Sequence, residues 1–328
     1  MPDVSSTMPP LPRAASRGGH PRLPILAAAL AAAVTVLALA WLGLPAVLGR
    51  LPLRLPVESL PAPALDLLQR LQPEPRWDAL PQGPVLAGAR RRGVLVVGVR
   101  EYARPAPPGA SNPPGPDDFD AGLARFLGER LRVPVKLVGL DADGRAHGAG
   151  APAPDLVIAG ARPGAAGEPR VASPYAGGSG RLIALRGSPY RRAGDLARRP
   201  VCVAQGSPYA QELASRYHAA PVVYASAIRA VAAFMAGECQ ALAEDKLALA
   251  RLAGLPEWRF YRVLDQDLDG DGGAQIGLRQ PDPDSAAYLD RAVRYWVGGG
   301  GLARAREQRA GDLAYQAGEL QSGLVCHA

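Results

Sequence analysis

Gly206, Ser207 and Pro208 stand in "CVAQGSPYAQEL" (202–213), between a short apolar run and a stretch with helical spacing. Together these three residue types favour one piece of chemistry. A glycine lets the backbone turn tightly after a strand. A serine hydroxyl caps a helix, and proline suits the first turn, where no amide donor is needed. The free amides and the positive end of the helix dipole then offer a place for an anion such as a carboxylate. The same residues also read as a plain cap with nothing bound. Ser-Pro-Tyr recurs at 173–175 and 188–190, so the tripeptide carries no specificity of its own.

A second constellation is acidic. "DQDLDGDGG" (265–273) places Asp265, Asp267 and Asp269 before Gly270, as in the first half of a calcium loop. The twelfth position is Ile276, where a bidentate glutamate would be required, so a solvated acidic turn is the favoured reading and no metal is assigned. The four histidines are far apart and the three cysteines lack zinc-ligand spacing. No Ser-His-Asp set or carboxylate pair assembles into a catalytic group, so no enzyme activity and no cofactor are expected.

The elements that carry these residues follow from composition and pattern. At 328 residues, 48% hydrophobic and 20% charged, the chain can bury a sizeable core. Its net charge of +7 comes almost wholly from scattered arginines, with Lys136 and Lys246 the only lysines. No arginine run is interleaved with stacking aromatics, which argues against nucleic acid as a partner. From Leu23 to Gly49 there is no charged residue, and Ile25 to Leu44 as a helix would span roughly 30 Å, the thickness of bilayer hydrocarbon. Arg13, Arg17 and Arg22 precede it, favouring a cytoplasmic N-terminus and an exported remainder. A cleaved signal peptide with Ala38-Leu39-Ala40 at its end is the rival reading.

The expected organisation is a cytoplasmic segment at 1–23, a transmembrane anchor or uncleaved signal at 24–48, a Pro-rich tether at 49–88 with one short helix from Ala64 to Leu71, and a folded domain at 89–328. Within the domain, "GVLVVGV" (93–99) reads as a buried strand. "DDFDAGLARFLGERL" shows Phe119, Leu123, Phe126, Leu127 and Leu131 at helical spacing, with Asp117 or Asp118 as N-cap. Strands then follow in "VPVKLVGL" and "PDLVIAG", and the rhythm restarts after residue 180 with "RLIALRG", "RPVCVAQG", a helix in "SPYAQELASRYH", "APVVYAS", a helix in "AIRAVAAFMAGE" and "CQALAED". A strand at 274–282 and a helix in "DSAAYLDRAVRYWVGGGG" close the pattern. Alternation of this kind predicts an α/β chain with parallel sheets covered on both faces, in two lobes of about a hundred residues each.

The ordered set "RRRGVLVVGVREYARP", "DDFDAGLARFLGERL", "PDLVIAG", "ASPYAGGSGRLIALRGS", "DLARRPVCVAQGSPYAQEL", "AGECQALAEDKLAL" and "AQIGLRQPDPDSAAYLDRAV" resembles the bacterial extracellular solute-binding proteins of family 3, the polar amino-acid-binding components of ABC importers. The resemblance runs over about 88–322. It implies a two-lobed type II periplasmic-binding-protein-like fold with a central cleft, lobe 1 from about 90–180 and 274–328 and lobe 2 from about 184–272.

The resemblance also implies site roles. Gly206 and Ser207 inherit the turn that helps to hold a ligand carboxylate. Asp245, in "ALAEDK", falls where the family pairs an aspartate with the ligand's amino group; a solvated acid or helix cap is the alternative. Tyr102 lies where an aromatic packs on the ligand, or is only a lid on the sheet edge. The family's carboxylate-gripping arginine aligns with Gly167, leaving Arg162 and Arg170 on either side to take its place or to be surface arginines. Cys202 and Cys239 would open neighbouring strands of lobe 2, where a disulfide is expected against two buried thiols; Cys326 is left over.

The expected function is a membrane-tethered periplasmic receptor at the bacterial inner membrane, closing on a small polar amino acid-like solute and serving an ABC permease. The alternative is an accessory periplasmic protein of the same fold that docks a partner enzyme or sensor.

Overall fold

The computed structural model describes residues 62–104, 106, 111–141, 144–146, 150–160, 169–270 and 273–325. The apolar segment expected to span the membrane, Arg162 and Cys326 lie outside the described residues. Among the described residues no helix is long and apolar enough to cross a membrane.

Lobe 1 is built on β1 (Leu95–Ala103), whose valines and leucine favour a pleated, buried strand. On one side β1 pairs in parallel with β3 (Val135–Leu140) and, past Arg100, antiparallel with β2 (Pro114–Pro116). On the other side lies parallel β4 (Leu156–Ile158), followed by antiparallel β10 (Gly277–Leu278). Three helices cover this sheet. They are α2 (Pro84–Arg92), α3 (Asp118–Leu131) and α7 (Pro283–Gly298). α3 starts as expected: Asp117 accepts from the Asp120 amide at 3.1 Å. The strand expected over 274–282 is cut to two residues: 274–276 pair with the other segment that links the lobes, and Asp282 caps α7 with Pro283 at its start.

α1 (Ala62–Leu71) and the start of α2 fall within the stretch whose composition suggests a tether. Trp77, Val85, Leu86 and Ala89 are nonetheless buried in the lobe 1 core. Gly83 precedes α2 because a Cβ there would meet Asp282 Oδ1 at 1.8 Å.

Lobe 2 has the strand order β7 (Ala220–Tyr224), β6 (Pro200–Ala204), β8 (Ala241–Asp245), β5 (Gly180–Leu185), β9 (Tyr261–Val263). β6, β7 and β8 run parallel; β5 opposes both its neighbours. Alternate residues face opposite sides, as the pleat requires. Ile183 and Cys202 join Phe234, Leu249 and Trp258 beneath α5 (Ala227–Met235) and α6 (Lys246–Ala253). Leu182, Val201 and Val203 pack with Leu213 and Leu264 on the other face.

Two chain segments link the lobes and run side by side. Tyr175 donates to the Ala274 carbonyl at 2.8 Å, Ala274 to Ala176 at 2.6 Å, and Val171 to Ile276 at 2.9 Å. Arg170 sits in this paired hinge, bridged to Gly277. Two α/β sheets joined by a double crossing form a two-lobed arrangement with a crevice between the lobes.

A helix absent from the sequence expectation follows α7. α8 (Gly301–Val325) packs Leu302 and Ala305 against the lobe 1 core and buries Ala310, Leu313 and Ala317 in that of lobe 2. It spans both lobes as a strap.

Candidate functional site

Parallel strands deliver their C-terminal ends to the crevice between lobes, where ligand-binding side chains collect in sheets of this kind. β1 ends its buried run at Arg100, β4 leads to Gly160, β6 to Gln205 and Gly206, and β8 to Glu244 and Asp245. All of these except Gln205 line one small inter-lobe cavity of about 50 Å³, together with Ser207, Tyr209, Arg306 and Arg309.

The lobes meet closely there. Arg100 donates to the Gln205 carbonyl at 3.1 Å, and the Gln205 side-chain Nε2 donates to the Asp141 carbonyl at 3.0 Å. Arg100 also holds Asp120 through Nε at 2.7 Å and NH2 at 2.8 Å, with Asp117 at 3.4 Å. Burial alone would lower the Arg100 pKa; the two carboxylates outweigh it and keep the guanidinium charged. Burial likewise opposes ionisation of Asp117, but Arg100 holds its carboxyl below the ordinary range.

Asp245 has both oxygens engaged. Oδ1 accepts from the Leu247 amide at 2.9 Å and so caps α6. Oδ2 takes Arg306 Nε at 2.7 Å and NH2 at 2.5 Å. Burial pushes its pKa up, with Arg306 pulling the other way. Next to it, Glu244 lies 3.6 Å from Arg309. Two carboxylates at the end of β8 thus face two arginines of α8. This geometry suits a cation with several N–H donors, such as a guanidinium or an ammonium.

No family model matches the chain, and no curated protein matches it. Among the solved structures it is similar to, at low identity, are amino acid ABC transporter substrate-binding proteins. One, from Streptococcus pneumoniae and bound to L-arginine, is 16% identical with a TM-score of 0.48, covering 70% of this chain and 98% of that one. A Salmonella typhimurium periplasmic binding protein of high arginine specificity is 16% identical with a TM-score of 0.47, covering 66% and 98%. An ancestral amino acid-binding protein, precursor of cyclohexadienyl dehydratase, is 20% identical with a TM-score of 0.48, covering 68% and 97%.

The expected site residues divide among three places. Gly206, Ser207 and Asp245 come together in the small cavity. Tyr102 lines a neighbouring cavity of about 460 Å³ with Asp117, Phe119, Gln205, Trp296 and Arg309, and its hydroxyl donates to Asp117 at 3.3 Å. Arg170 lines neither cavity. Ser207 does not cap the following helix. α4 (Ala210–Ser215) begins three residues later, with Tyr209 as N-cap residue and no side-chain cap. Ser207 Oγ instead accepts from the Tyr209 amide at 3.3 Å, an isolated turn that lets the Tyr209 hydroxyl reach the Gly178 carbonyl. The helix-dipole argument for an anion at this turn therefore falls.

Cys202 and Cys239 are joined by a disulfide, Cα to Cα 5.6 Å. Cys202 sits inside β6 and Cys239 just before β8, the strand paired with β6. In the acidic turn, Asp267 pairs with Arg181 at 2.5 Å and Asp269 lies 3.8 Å from Arg216; no metal-holding cluster occurs among the described residues.

Arg100, Gly160, Gln205, Arg306 and Arg309 were not anticipated. The local signal for Arg306 and Arg309 is their spacing with Leu302, Ala305, Ala310 and Leu313, which puts both arginines on the helix's apolar face.

Proposed function

We propose that this chain is a solute receptor. Its lobes close over a small polar, amino acid-like solute in the cleft at Asp245, and it passes that solute to an ABC permease without chemistry of its own. The uncharged run from Leu23 to Gly49 would hold it at the inner membrane, with the two lobes in the periplasm. The observation that carries the reading is the Asp245 carboxylate, gripping a guanidinium at 2.5–2.7 Å in a cleft where the lobes meet. That guanidinium is the chain's own Arg306, and a ligand that takes its place must bring a cation, because an unpaired buried carboxylate is costly.

Thermal denaturation of the full chain against a panel of amino acids and small dicarboxylates tests this. A ligand at about 100 times its dissociation constant adds about 2.7 kcal/mol of stability. At least one amino acid is expected to raise the Tm, and dicarboxylates are not. A panel with no shift would contradict the receptor reading.

A docking role for a partner protein is the second reading. What favours it is the space at Asp245 itself, about 50 Å³ against the 300–1,000 Å³ typical of small-molecule sites, the larger inter-lobe cavity of about 460 Å³ lying beside Tyr102 and Arg309 instead.

A further inference from the structure

The small size of the cavity at Asp245 has a cause within the chain. α8 carries Leu302, Ala305, Arg306, Arg309, Ala310 and Leu313 on one face. Its apolar members insert into the lobe 1 core at one end and the lobe 2 core at the other. The two arginines between them project into the cleft, where the side chain of Arg306 is only 10% exposed and its Nε and NH2 both rest on Asp245 Oδ2. Arg309 stands beside Glu244. The cationic place is filled by the protein itself.

We infer that α8 is a tethered internal ligand: Arg306 occupies the cation subsite at Asp245 and straps the lobes shut, so a solute enters only when Arg306 leaves. The inference rests on the receptor reading for its consequence but not for its geometry. Withdrawing Arg306 strands Asp245 beside Glu244, two carboxylates at the end of one strand. The solute that replaces it must therefore bring a guanidinium or ammonium group. The strap also taxes affinity, since only the fraction of molecules with Arg306 displaced can bind. The 460 Å³ cavity on the other side of Arg309 gives the displaced side chain somewhere to go.

Hydrogen exchange on the full chain tests the strap, using Arg306→Ala and Arg306→Lys, with Arg251→Ala as control. Arg251 of α6 pairs with Glu307 on the exposed side of α8. In Arg306→Ala the amides of Gly206, Asp245 and Leu247 are expected to exchange at least tenfold faster than in the parent chain; Arg251→Ala should leave them unchanged. Methylguanidinium, as a detached copy of the missing group, should restore protection in Arg306→Ala and do nothing to the parent chain. A general loss of packing would not be rescued in that way. If Arg306→Ala does not fold, Arg306→Lys, which keeps the charge but loses the fork, should show the same change at smaller amplitude. Unchanged exchange at these amides in the folded variant overturns the strap. Faster exchange rescued by methylguanidinium but by no amino acid upholds the strap and removes the receptor reading.

Discussion

Gly160 and Gly206 meet backbone to backbone across the cleft: a Cβ on Gly160 would lie 2.3 Å from the Gly206 carbonyl oxygen, and one on Gly206 would lie 2.5 Å from that of Ala159. Both glycines have positive φ, +76° and +73°. Neither position admits a side chain while the lobes are closed.

Gly206→Ala is therefore expected to act as a wedge. Left-handed backbone at a non-glycine residue costs about 1–2 kcal/mol, and the new methyl must push Ala159 away. The Arg100 bond to the Gln205 carbonyl should break with it. Urea denaturation should show the loss of stability, and small-angle scattering a larger radius of gyration. A variant with parental stability and scattering would mean that the lobes are not closed in solution.

The disulfide offers a second test. Cys202 and Cys239 are 37 residues apart, and closing such a loop stabilises by about 4 kcal/mol in the chain-entropy model. Replacing both by alanine should lower unfolding stability by about 2–4 kcal/mol. Reductant should do the same to the parent chain and nothing to the double variant. Insensitivity of the parent chain to reductant would show that the bridge does not form.

Much of the architecture was legible because local signals agree with tertiary demand. β1 reads as a strand because "VLVV" is branched and apolar, and α3 as a helix because Asp117 precedes five apolar residues at helical spacing. α2 was not legible: prolines at 81 and 84 and three arginines at its end resemble a linker, and only packing of Val85, Leu86 and Ala89 onto α7 and β1 makes it part of the core. α8 was hidden behind Gly298 to Gly301, with many alanines and glycines diluting its apolar stripe. Asp245 and Gly206 could be placed by their positions at strand ends. Their partners Arg306 and Gly160 could not, because those contacts join segments 61 and 46 residues apart. The cap proposed for Ser207 failed because the chain makes a turn first and starts α4 only at Ala210.

Asp282 predicts a pH dependence. It accepts from the Val85 amide at 2.7 Å and the Ser285 amide at 3.1 Å, so it serves the starts of α2 and α7 together. Burial alone would raise its pKa, but hydrogen bonds from Ser285, Val85 and Asp284 outweigh it and hold the carboxyl below its ordinary value. A lowered folded-state pKa means stability that is present above the unfolded value, near pH 4, and lost as pH falls through the folded one. Asp282→Ala should cost about 2–3 kcal/mol at neutral pH, a lost cap plus a stranded buried amide, and should flatten the acid limb of the stability profile. Denaturation at pH 7 and pH 3 checks both; an acid limb unchanged by the substitution would contradict the assignment.

The most direct test of the account is isothermal titration of the full chain with L-arginine and the other common amino acids, beside Asp245→Asn. Saturable heat with an amino acid, weakened at least tenfold by Asp245→Asn, is the predicted result. A folded chain that gives no heat with any of them, or one whose binding ignores Asp245→Asn, would contradict a receptor cleft centred on that carboxylate.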